Sequence, residues 1–257
     1  MPNALEQLLL PAECLLCRSL LSFPDADRTV CSVCRHRWRA VRPPWCERCG
    51  QPEPLFGGCR LCADWPAALQ RVRSAVWLEG GAREAVHALK YAGLARVADD
   101  LAAAMSGMVL PGGDGAMLVP VPLGPRRLRQ RGYNQSARLA QALGRRWHRP
   151  VAELLVRVRD TATQTALTPA ARRANVAGAF EVRNAECGMR SVKGSVARRA
   201  ISHGNSALHI PPSALVLVDD VFTTGATLAE AARALECAGV TAVLAVTFGR
   251  AVLPDFS

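Results

Sequence analysis

Eight of the ten cysteines lie within residues 14–62 as four Cys-x-x-Cys pairs: Cys14/Cys17, Cys31/Cys34, Cys46/Cys49 and Cys59/Cys62. One such pair could serve redox exchange. Four in succession point to metal, because each tight knuckle offers two thiolates and zinc takes four in a tetrahedron. Eight thiolates therefore make two Zn²⁺ sites of four cysteines each. Thirteen residues separate the first two pairs and nine the last two. These spacings suit two consecutive zinc ribbons, and an interleaved arrangement, first pair with third and second with fourth, stays open. A disulfide scaffold would require secretion. Iron–sulfur ligation fits less well, because its cysteines cluster more closely. His36 sits beside sites whose thiolates are already complete. Cys187 falls in a polar stretch and Cys237 in a helical run, where burial is expected.

The second string with chemical content is Leu215-Val216-Leu217-Val218-Asp219-Asp220-Val221-Phe222-Thr223-Thr224-Gly225-Ala226-Thr227. Four apolar residues predict a buried strand, and two carboxylates follow at its C-terminal end, where open α/β sheets hold ligands. A loop of small hydroxyl residues then leads into a helix. Backbone N–H groups and threonine hydroxyls at a helix N-terminus suit a phosphate, and Gly225 permits close backbone approach. Adjacent carboxylates can accept hydrogen bonds from vicinal sugar hydroxyls or help to hold Mg²⁺. Phosphate plus diol describes a ribose 5-phosphate. An N-capping threonine alone would account for Thr224 or Thr227, but not for the paired acids. The string lacks the Gly-Lys-Ser/Thr of a P-loop.

The third feature is charge. The chain of 257 residues carries a formal net charge of +11, which suggests an anionic partner. Residues 1–66 contain 8 Arg and 7 acids, so the cysteine-rich segment is nearly neutral. Residues 121–150 contain 8 Arg and no acid. Arg126, Arg127, Arg129 and Arg131 follow the string Val119 to Pro125 and read as a shaped Pro/Gly loop after a strand. A pyrophosphate or a nucleic-acid backbone is the natural partner there. Arg138, Arg145, Arg146 and Arg149 read as a solvated helix face. Aromatic residues are only 5% of the chain, which argues against a surface built on base stacking.

These residues need elements to hold them. Strands are predicted at Val72–Leu78, Met117–Val121, Leu215–Val218 and Ala242–Thr247, with Gly80-Gly81 as a turn. Helices are predicted at Ala82–Tyr91, Val97–Met108, Ser136–Trp147 and Thr227–Ala238, from apolar residues at helical spacing. Strand–helix alternation with all-apolar strands means a parallel sheet covered on both faces. The reading is a small zinc-ribbon domain over 1–66, then an α/β domain over 67–257. Residues 186–210, rich in Gly, Ser and Arg, read as a flexible insertion. The longest apolar runs fall far short of a membrane span. Met1 to Leu10 has no basic segment and carries Glu6, so no signal peptide and a reducing, cytoplasmic setting are expected.

All thirteen positions of 215–227 resemble the 5-phosphoribosyl-1-pyrophosphate (PRPP) motif of type I phosphoribosyltransferases. The resemblance implies a phosphoribosyltransferase-like parallel sheet flanked by helices. In it Asp219 and Asp220 would meet the ribose hydroxyls, and Thr223, Thr224, Gly225, Ala226 and Thr227 would wrap the 5-phosphate. Arg126, Arg127 and Arg131 stand where that superfamily places its pyrophosphate loop. More particular strings are Pro120-Val121-Pro122-Leu123 with Arg131-Gly132-Tyr133-Asn134-Gln135-Ser136, Leu89-Lys90-Tyr91-x-Gly93, and Arg157-x-Arg159 followed by Gln164, Arg173, Asn175 and Phe180. Together with the cysteine pairs they resemble the ComF family of natural-transformation proteins, over nearly the whole chain except the insertion. That resemblance implies DNA uptake, contact with incoming single-stranded DNA, and a helicase-like competence partner. Lys90, Tyr91, Asn134, Gln135, Gln164, Arg173 and Asn175 are then candidate substrate contacts. PRPP with Mg²⁺ would be bound, either as the substrate of a transferase whose acceptor is open, or as the ligand of a catalytically silent sensor.

Overall fold

The computed structural model of the chain describes residues 12–52, 59–110, 115–160, 169–183 and 214–252. The expected insertion at 186–210 lies outside them, as do Gln164 and Cys187. Four parallel strands form the central sheet: β1 (Leu69–Trp77), β2 (Met117–Pro120), β5 (Leu215–Phe222) and β6 (Val243–Arg250), in the order β1-β6-β5-β2. Two short strands, β3 (Leu155–Arg157) and β4 (Phe180–Val182), pair antiparallel beside it. The helices are α1 (Ser32–His36), α2 (Gly80–Tyr91), α3 (Val97–Met105), α4 (Pro125–Arg131), α5 (Gln135–Trp147), α6 (Pro169–Val176) and α7 (Ala226–Cys237).

The all-apolar strands serve two cores, because successive side chains leave opposite faces of a sheet. Val216, Val218, Leu244 and Val246 join α2, α3 and α5 on one face. Leu215, Leu217, Val243 and Ala245 join α7 and the β3–β4 pair on the other. The expected parallel sheet covered on both faces is therefore present. Each ribbon packs on a different face: Cys14, Val30, Cys34 and Trp38 join the first core, and Cys49, Cys62 and Trp65 the second.

The stretch between the ribbons and the first knuckle of the second ribbon run along β1, the edge of the sheet. Val41 N–H donates to the Ala75 carbonyl at 3.0 Å, Trp77 N–H to Arg39 at 2.8 Å and Val72 N–H to Arg48 at 2.8 Å. An edge strand left bare would offer unpaired backbone to other chains. A buried carboxylate pins the first ribbon to α3. Asp100, 1% exposed, accepts from Thr29 N at 2.9 Å, Thr29 Oγ1 at 2.6 Å, Val30 N at 3.1 Å and Arg35 Nη1 at 3.0 Å.

Several local expectations change. Gly80-Gly81 opens α2 instead of forming a separate turn, and α3 ends at Met105. β5 runs on through both aspartates to Phe222, since β6 still pairs with it there. Cys237, expected to be buried, is exposed at the end of α7, where the helix turns its apolar face away. No helix among the described residues is long and apolar enough to cross a membrane.

Candidate functional site

The eight paired cysteines gather into two groups, Cys14, Cys17, Cys31 and Cys34, then Cys46, Cys49, Cys59 and Cys62, with ligand atoms within 4.8 Å of one another. The arrangement is consecutive, which closes the interleaved alternative. With zinc–sulfur bonds of about 2.3 Å, the edges of a tetrahedral site measure about 3.8 Å. The Sγ–Sγ distances are 3.8 Å for Cys17–Cys31, 3.8 Å for Cys46–Cys62 and 3.5 Å for Cys49–Cys59. Backbone N–H groups of Cys31 and Cys34 point at the Cys14 and Cys31 sulfurs at 3.3 and 3.4 Å, which favours thiolates. These cysteines fit two Zn²⁺ ions, whose contribution is to hold two short segments folded.

The second concentration of chemistry lies at the C-terminal end of β5. β2 stops pairing with β5 at Val218, one residue before the aspartates, which stand at the strand end where open α/β sheets hold ligands. Asp220, 4% exposed, meets Lys90 Nζ from the last turn of α2 at 3.0 Å. Asp219 Oδ1 accepts from Ser136 Oγ at 2.8 Å and from the Asp220 N–H at 2.9 Å. Burial first, and then the neighbouring Asp220 charge, push the Asp219 carboxyl up to about 7, against the pull of Ser136 and Lys90.

Thr223 to Gly225 form the bend into α7. Gly225 adopts a left-handed backbone at φ 76°, and no side chain caps α7. Thr224 is 5% exposed, and its hydroxyl has no hydrogen-bond partner. Uncapped N–H groups and a buried unpaired hydroxyl are groups that an incoming anion could satisfy. Thr224 also lines a cavity of about 270 Å³ with Trp65, Val176, Ala226 and Glu230.

The arginines do not lie in a loop. Pro125 opens α4 and Gly132 closes it at φ 79°, so Arg126 to Arg131 stand on a seven-residue helix with no buried residue. Pro at the first position and Gly past the last are start and stop signals. Arg126 and Arg129 are exposed, and Arg127 and Arg131 are half-buried. Arg131 donates to Gln135 and lies 5.3 Å over the Tyr91 ring, which is itself 67% exposed. Asn134 accepts from Ser136 N at 3.1 Å as the cap of α5, and donates to the Val121 carbonyl at 3.0 Å. Tyr133 donates to the Leu89 carbonyl. The Gly132–Ser136 string thus ties α4, α5, β2 and α2 together around the aspartates. Asn175 is on α6, where its carbonyl accepts from Arg159 at 3.4 Å, and Arg173 stands on the same helix.

The family described as a double zinc ribbon domain matches residues 5–65. Competence protein ComFC of Bacillus subtilis is 28% identical over 240 residues, covering 86% of this chain and 88% of that protein. Competence protein F of Haemophilus influenzae is 35% identical over 124 residues, which is 48% of this chain and 45% of that protein. DNA utilization protein YhgH of Escherichia coli (strain K12) is 30% identical over 248 residues, 92% of this chain and 96% of that protein. The chain belongs to the ComF family.

In this ComF-family chain the structure adds residues that sequence reasoning did not single out as site residues. Ser136 was legible only as the end of the Gly132–Ser136 string, yet it holds Asp219. Arg157 on β3 is 9% exposed, and burial lowers its pKa. The charges of Arg127, Asp219, Asp160 and Arg159 also act on it. Its only sequence signal was the Arg157-x-Arg159 string. Trp65 had no signal at all.

Proposed function

We propose that this ComF-family protein, whose relatives are named for DNA utilization and competence, acts in DNA uptake through a PRPP-type ligand and single-stranded DNA. The observation that carries the reading is the junction of β5 and α7. Paired carboxylates, a buried hydroxyl without a partner and an uncapped helix N-terminus lie within a few residues of one another. Asp219 and Asp220 are the acceptors for ribose hydroxyls, and residues 223–227 surround the 5-phosphate. Mg²⁺ would arrive with the pyrophosphate and neutralise part of its charge. Lys90 supplies positive charge at Asp220, and the Arg157 guanidinium feels the Asp219 charge. The same positive charge suits a departing pyrophosphate and so favours a second reading. There a nucleophile forms a bond to the anomeric carbon as the carbon–pyrophosphate bond breaks.

The arginines of α4, exposed at Arg126 and Arg129 and half-buried at Arg127 and Arg131, carry the DNA part of the proposal. Binding to a single-stranded oligonucleotide should weaken with salt. Replacing Arg126, Arg127 and Arg131 by Ala should lower the slope of log affinity against log salt by roughly 2. An unchanged affinity and slope would remove α4 from the DNA path. A PRPP-consumption assay, with and without the oligonucleotide, on protein carrying two zinc ions separates turnover from binding alone. A helicase-like partner is part of the same proposal, and co-purification with the arginine variant as control would test it.

A further inference from the structure

We infer that Trp65, held by the second zinc ribbon, is a positioning residue that sets the shape of the 223–227 loop. The inference rests on the reading of that loop as a ribose-phosphate site. The loop has little to hold it from within: Gly225 is left-handed, α7 has no side-chain cap, and the Thr224 hydroxyl makes no hydrogen bond. Its support comes from the ribbon. A Cβ added to Gly225 would lie 2.4 Å from Trp65 Cζ2 and 3.0 Å from Phe222 Cε2, so the indole presses directly on the loop backbone. The Trp65 and Phe222 rings meet edge to face at 6.1 Å.

Phe222 immediately precedes the loop and is clamped from two directions. The Arg250 guanidinium lies 4.2 Å over its ring, and donates to the Cys49 carbonyl at 2.9 Å and to Gln51 Oε1 at 2.7 Å. Trp65 is equally anchored. Its backbone N–H donates to the Cys62 carbonyl at 3.3 Å, and Arg48 donates to the carbonyls of Cys62 and Trp65 at 3.1 and 3.2 Å. Cys49 and Cys62 are ligands of the second metal site. The metal-held knuckles thus fix two groups, Trp65 and Arg250, that together fix the start of the phosphate loop. Such pre-organisation adds affinity without adding a contact to the ligand.

Trp65→Leu keeps apolar bulk in the core and removes the ring edge from Gly225. Calorimetry with ribose 5-phosphate on the zinc-loaded full chain is the test, with zinc content and thermal midpoint measured alongside. Trp65→Leu should keep two zinc ions, melt cooperatively and bind about tenfold more weakly. Trp65→Phe, which restores a ring, should recover to within about threefold. Met105→Ala, buried on the opposite face of the sheet, should lower the midpoint and leave affinity unchanged. Phe222→Leu decides the question in the same way if Trp65→Leu does not fold. Wild-type affinity in the folded Trp65→Leu protein overturns the inference alone. Absence of binding by the wild type overturns the ribose-phosphate reading and the inference with it.

Discussion

Asp219 and Asp220 differ in partner although they are adjacent. Asp220 has the Lys90 ammonium at 3.0 Å, whereas Asp219 has one hydroxyl and one backbone N–H. Asp219 keeps a proton in the folded chain up to about pH 7, and in the unfolded chain only up to its ordinary value of 3.8. Its ionisation therefore opposes folding as pH rises through that window. Asp219→Asn should stabilise the ligand-free protein by up to about 4 kcal/mol at pH 8, and by nothing below pH ~4. Thermal unfolding at both pH values checks this, and a gain at low pH would contradict it. The aspartate pair was legible from 215–227 because strand, acids and hydroxyl loop are contiguous. The reason for Gly225 was only partly legible: a ligand's approach was expected, and the Trp65 ring is what excludes a side chain there. Contacts between residues so far apart in sequence leave no local pattern.

At the scale of elements, periodicity located β1, β2, β6, α2, α5 and α7 to within a few residues of their observed ends. The arginine segment reads as a loop from sequence because Pro125 and Gly132 are residue types common in loops, whereas in the fold they bound a helix. The gain is geometric, since a helix carries Arg126 and Arg129 as one exposed unit. The tie between α3 and the first ribbon had no sequence signal, because Asp100 sits inside an ordinary acidic first turn. Its carboxylate nevertheless satisfies Thr29, Val30 and Arg35. Asp100→Ala strands those donors and should cost about 3–5 kcal/mol in denaturant unfolding. A loss below 1 kcal/mol would mean that solvent reaches them freely.

The two ribbons straddle the sheet, one on each face, and the segment joining them covers the β1 edge. Zinc therefore supports the whole molecule as well as its own 66-residue segment. Chelation should lower the thermal midpoint by about 10 °C or more and remove hydrogen-exchange protection from the Val72 and Trp77 amides, while α5 keeps its protection. Equal loss throughout would indicate global unfolding, and no loss would separate the ribbons from the sheet. The net charge of +11 suggests an anionic partner, and four of the arginines stand together on α4. We propose that the β5–α7 junction binds a ribose phosphate. The most direct test is calorimetric titration of PRPP with Mg²⁺ into the wild type and into Asp219→Ala/Asp220→Ala, each carrying two zinc ions. Saturable binding with one site per chain in the wild type, lost in the double variant, is the expected result. No heat in the wild type, or equal affinity in both proteins, would contradict the account.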